Sequence, residues 1–89
     1  MANYIIEIRE QISSDLIVSI EFEEQIQQYA KCSVFDRLKI LEGLPDGKYY
    51  SILKRENNGE YQEVEGMPSV EIYKNNNVVT LLPDTLPFC

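Results

Sequence analysis

The chain predicts an α+β fold, a mainly antiparallel sheet in the order ββ-α-ββββ packed on one helical segment. Three observations carry that expectation. Apolar residues alternate with period two in two stretches near the start and again through the second half, as strands with one buried face require. A run of helix formers interrupts them. Asp-Gly, Asn-Gly and an Asn triplet then divide the later stretches, each with a backbone reason to turn the chain.

The first strand is read over Tyr4 to Glu10, where Tyr4, Ile6 and Ile8 share a face and Ile5, Glu7 and Arg9 share the other. The second runs from Asp15 to Phe22 with Leu16, Val18, Ile20 and Phe22 on one side and Ile17, Ser19, Glu21 and Glu23 on the other. Their short polar connection suggests a hairpin, though without the Asn-Gly or Asp-Gly pair that sets turn type. Residues 24–42 read as helical. Ile26, Tyr29 and Ala30 are spaced for one helical face, Ser33 with Asp36 resembles a capping box, and Gly43 is the expected stop. Whether this is one helix or two broken near Cys32-Ser33 stays open.

Leu44-Pro45-Asp46-Gly47 turns the chain into a third strand, Lys48 to Lys54. Asn57-Asn58-Gly59 predicts a tight hairpin with Glu60 to Val64 returning. A last hairpin pairs Val70 to Tyr73 with Val78 to Leu82 around Asn75-Asn76-Asn77. The expected organisation is a single domain over 1–83 and a short, loosely held tail over 84–89.

The sequence is 89 residues with 44% apolar and 26% charged, which suits one small globular domain. The N-terminal residues lack the basic start and apolar run of a secretory leader, and no apolar stretch approaches the length of a membrane span. The expectation is a cytoplasmic protein whose two cysteines, Cys32 and Cys89, are reduced thiols rather than a disulfide framework. Cys32 is read as a small core residue in preference to a reactive thiol, and Cys89 as exposed.

Histidine is absent, which removes the commonest general base near neutrality and the commonest metal ligand. There is no glycine-rich phosphate loop, and the oxygens around Asn58-Gly59 lack the alternation of a calcium loop. No cofactor, no metal and no catalytic residue are expected, and the chain is read as other than an enzyme.

Fifteen acidic against eight basic residues give a net charge of −7. That charge disfavours nucleic acid and anionic membranes and favours a basic protein partner. Glu21 with Glu23, and Glu63 with Glu65, would each project from one strand face about 6.8 Å apart. Tyr61 and Tyr73 add the aromatic anchors common at interfaces. These six residues are the candidate partner-binding set. The leading expectation is a small acidic protein-binding module, an inhibitor or accessory subunit, with a nucleic-acid mimic as its sharpest form. The alternatives are a small-ligand domain or minor enzyme using carboxylates or Tyr, and a homo-oligomer joined through edge strands.

Overall fold

Six strands and one helix follow one another in the expected order: β1 (Ala2–Glu10), β2 (Leu16–Glu24), α1 (Gln27–Lys39), β3 (Gly47–Asn57), β4 (Glu60–Glu63), β5 (Val70–Asn75) and β6 (Val78–Leu82). The computed structural model describes residues 1–86 and residue 89. All strand pairs are antiparallel, in the lateral order β2-β1-β3-β5-β6. β3 is the longest strand at 11 residues, and its length lets it serve two neighbours on one side. Its first half pairs with β5 through Gly47 to Ser51, and its far half pairs with β4 through Lys54 to Asn57.

The alternation seen in the sequence sorts the side chains. Tyr4, Ile6 and Ile8 of β1, Phe22 of β2, Tyr49 and Leu53 of β3, Ile72 of β5 and Leu81 of β6 are buried together with Ala30, Val34, Phe35 and Leu38 of α1. The helix therefore covers one face of the sheet. Tyr4 stacks on Phe22 with ring centroids 5.5 Å apart, and the Arg37 guanidinium lies 3.9 Å from the centre of the Phe22 ring, tying α1 to β2. Ser51, buried in this layer among apolar and aromatic side chains, donates its hydroxyl to the Val70 carbonyl at 3.5 Å.

Within residues 24–42 there is a single helix, which starts at Gln27, runs unbroken through Cys32 and Ser33 and ends at Lys39, short of Gly43. The capping box does not form. Ser33 sits in mid-helix with its hydroxyl on the Ala30 carbonyl, while the Glu24 carboxylate takes the Gln25 and Ile26 amides just ahead of the helix. The buried face also differs from the expected one. Ala30, Val34, Phe35 and Leu38 point inward, and Ile26 and Tyr29 are exposed.

The hairpin turns follow their residues. Asn58 and Gly59 both have positive φ (54° and 84°), as do Asn76 and Asn77 (49° and 67°), the arrangement that matches strand twist in two-residue turns. The β1–β2 turn lacks such a pair and uses side chains. Glu10 accepts the Ser13 hydroxyl and the Ser13 and Ile12 amides, and these bonds, the hydroxyl's first, hold its carboxyl below its ordinary range.

The chain end corrects two expectations. Cys32 and Cys89 are joined in a disulfide, with Cα atoms 5.8 Å apart, so neither is a free thiol. Leu86 is buried in the core, and Cys89 is fixed to the middle of α1, so the tail is held at both residues. The rest of the expected tail, residues 87 and 88, lies outside the described residues. Nothing in the spacing of two cysteines 57 positions apart reveals that the chain returns across the helix. Among the described residues no helix is long and apolar enough to cross a membrane.

Candidate functional site

The face of the sheet opposite α1 carries most of the polar side chains of β1 to β5, while β6 presents Val78, Thr80 and Leu82 there. The registers place Asn3, Ile5, Glu7 and Arg9 of β1 beside Glu23, Glu21 and Ser19 of β2 on one side and Ile52, Lys54 and Tyr50 of β3 on the other. At its centre the Glu7 carboxylate meets the Lys54 ammonium at 3.0 Å and the Arg9 guanidinium at 3.1 Å. Arg9 also donates to the Ser14 carbonyl at 2.8 Å, so it braces the first turn as well. The Glu7 charge is thereby satisfied internally, and the triad as a whole keeps one positive charge.

Desolvation alone would raise the Glu7 carboxyl, but the hydrogen bonds and charges of Lys54 and Arg9 outweigh it and hold the group below its ordinary range. A depressed folded-state value means that the unfolded chain binds the proton more readily. Its stabilisation is therefore complete above the ordinary carboxylate range and is lost as pH falls through the folded value. Glu7→Gln should cost about 1 kcal/mol at neutral pH. The difference from the parent should vanish in strong acid; urea melts of both proteins across the carboxylate range check this, and a gap that does not narrow in acid would refute it.

At the end of the open face beyond this triad, Glu21, Glu23, Asn3 and Tyr61 line one hollow of about 320 Å³. Glu21 and Glu23 share a strand face as expected, opposite Ile5 and Asn3. Tyr61 arrives from β4, where it pairs with Glu56. Desolvation and the negative charges of Glu21 and Glu56 push its phenol up, so it remains a hydrogen-bond donor at neutral pH. Asn3 donates to Glu56 at 3.4 Å and links β1 to the end of β3. Neither Glu21 nor Glu23 has an ion-pair partner among the described residues.

The other expected residues are distributed differently. Glu63 lies on the same face, opposite Lys54. Strand β4 ends at Glu63, so Glu65 falls in the following turn and the two do not share a strand face. Both line a second hollow, of about 390 Å³, with Gln27 and Arg55 at the start of α1 and the end of β3. Tyr73 stands on β5, away from the acidic end, with its hydroxyl on Glu71 at 2.7 Å and the Lys48 ammonium 6.0 Å from its ring centre. The structure thus gathers Glu21, Glu23 and Tyr61 and leaves Tyr73 apart.

Two residues of the acidic end, Asn3 and Glu56, were not among the sequence candidates. Continuing the even-numbered face of β3 from Lys54 to Glu56 would have found the second. Among the described residues no group of three or more carboxylate or cysteine side chains is placed to hold a metal ion. Comparison of the chain with protein-family models, curated proteins and solved structures finds no match.

Proposed function

We propose that the protein is a small binding module that engages a basic protein surface through the acidic end of its open sheet face, and that it acts as an inhibitor or accessory subunit without chemistry of its own. The observation that carries this reading is the meeting of Glu21, Glu23 and Tyr61 around one hollow, with Glu56 beside them and no ion-pair partner for Glu21 or Glu23 among the described residues. Two unpaired carboxylates and a tyrosine hydroxyl offer acceptors and a donor to Lys or Arg side chains. The net charge of −7 adds long-range steering toward such a partner.

In its sharpest form the acidic end imitates the phosphates of a nucleic acid and occupies a basic groove. A cytoplasmic setting belongs to this proposal only for the reduced chain, since disulfides persist in oxidising compartments.

The test is affinity capture from the native lysate with the tagged protein, at moderate and at high salt. A stoichiometric partner released by high salt is the expected result, and one that persists would contradict an electrostatic interface. With the partner in hand, Glu21→Lys with Glu23→Lys should weaken binding by ~100-fold or more, since reversing two contact charges costs several kcal/mol. Unchanged affinity by calorimetry would move the interface elsewhere.

A further inference from the structure

Three strands of the sheet pair on one side only, and they are protected unequally. β4 is only 4 residues long and carries two glutamates. β6 is 5 residues long and is closed by Pro83, both ordinary defences of a sheet edge. β2 is 9 residues long, contains neither Pro nor Lys, and pairs only with β1; a register shift breaks the pairing at Leu16–Ile17, and from Val18 to Glu24 it is regular. Its outer backbone amides and carbonyls face away from the sheet with no strand beyond them among the described residues.

The side chains of β2 are also left half finished. Val18 and Ile20 point to the α1 side but are only partly buried, in contrast to the fully buried Ile6 and Ile8 on the neighbouring strand. The apolar layer therefore continues to the rim of β2 and stops uncovered. Beside it, Ile17, Val18, Leu41, Leu44 and Pro45, together with Glu42 and Gly43, line a groove of about 130 Å³, the scale of one aliphatic side chain. At the other end of the same strand, on the opposite face, lies the acidic hollow of Glu21 and Glu23.

We infer that β2 is a strand-addition site for an extended segment of the basic partner, carrying two basic residues two positions apart, followed by two apolar residues two positions apart. The inference rests on the proposed binding of a basic protein and specifies how it is held. The pattern follows from period two. In an antiparallel partner, the pairing used throughout this sheet, residues opposite Glu23 and Glu21 lie two apart on the open face. Those opposite Ile20 and Val18 come next on the α1 side. Main-chain bonds to the free edge supply affinity, and the two hollows of opposite character supply register and selectivity. A second copy of the chain fits less well, because pairing β2 with itself would gather both sets of Glu21 and Glu23 on one face of an assembly already carrying −7 per chain.

The probe is the end-capped peptide Thr-Lys-Thr-Lys-Val-Thr-Val-Thr, titrated into the oxidised protein by calorimetry and by amide NMR. Two controls keep its composition of side chains: one with the alternate amides that would face β2 methylated, and one with the Lys and Val positions exchanged. The expected result is binding at least ~10-fold tighter than either control, with amide shifts concentrated along residues 16–24. Equal binding by the methylated peptide would overturn strand addition while leaving the basic-partner proposal standing. Equal binding by the exchanged peptide would overturn the assigned pattern. Failure of all three peptides would overturn the inference, and partner capture from lysate would then judge the broader proposal separately. A dimer by light scattering whose β2 amides are protected from exchange would show the edge filled by a second copy and would overturn it too.

Discussion

Removing the Cys32–Cys89 disulfide should lower the stability of the protein by about 4 kcal/mol, the entropy that a cross-link closing a loop of this length removes from the unfolded chain. That is a large share of the total. A domain of 89 residues is expected to be stable by roughly 4–13 kcal/mol, so the unlinked form could stand close to its unfolding threshold. The comparison to make is urea unfolding of the oxidised parent against Cys32→Ser with Cys89→Ser, which avoids reductant. Two readouts separate the cause. If the link acts on the unfolded chain, the variant should lose midpoint and also show a steeper denaturant slope, because its unfolded state exposes more surface. If the link instead only seats Leu86 against the core, Leu86→Ala should reproduce most of the loss with the disulfide intact. An unchanged midpoint in the double variant would remove the disulfide from any account of stability.

The sheet was legible because half-buried strands write their faces into the sequence at period two. Tyr4, Ile6 and Ile8 could be assigned to the core without knowing what covered them, and Glu21 and Glu23 to a common face without knowing their neighbours. The helix was harder to read. Ile26 and Tyr29 have helical spacing to Ala30, yet the helix starts at Gln27 and rolls Val34, Phe35 and Leu38 inward, so the rule of spacing identified a face but not the buried one. Ser33 and Asp36 matched a cap only because local patterns cannot tell the start of a helix from its middle.

Long-range order lay beyond such rules. Tyr61 reaches Glu21 because the length of β3 allows β4 to pair with its far half, and no local pattern specifies that division between β4 and β5. The pairing of Cys32 with Cys89 has the same origin, since it depends on the path of the chain after β6. In both cases residues were read correctly for their chemistry and could not be placed, because sequence distance carries no information on which elements return to one another.

The division of the sheet into a covered and an open face makes a second large prediction, testable at two adjacent residues. Ile6 is fully buried on the interior strand β1, between Ile20 of β2 and Leu53 of β3, in the layer beneath α1. Ile6→Ala should cost about 3 kcal/mol, from the lost transfer of the side chain and the cavity left among neighbours that cannot collapse into it. Ile5, one position earlier, carries the same side chain on the open face beside Glu21 and Lys54, and it is only partly buried. Ile5→Ala should cost under about 1 kcal/mol in the isolated protein, because little apolar surface there is removed from water. Equilibrium unfolding of the two variants checks both figures. Equal large losses would mean that the open face is itself covered, by a second copy or an unseen layer, and a concentration-dependent midpoint would single out the copy. Equal small losses would place Ile6 outside the core and contradict the layer on which the fold is built. The contrast also bears on binding, since an open face kept at small cost to stability, with Glu7 ion-paired at the centre and Glu21 and Glu23 without ion-pair partners among the described residues at one end, is available to a partner without unfolding any part of the sheet.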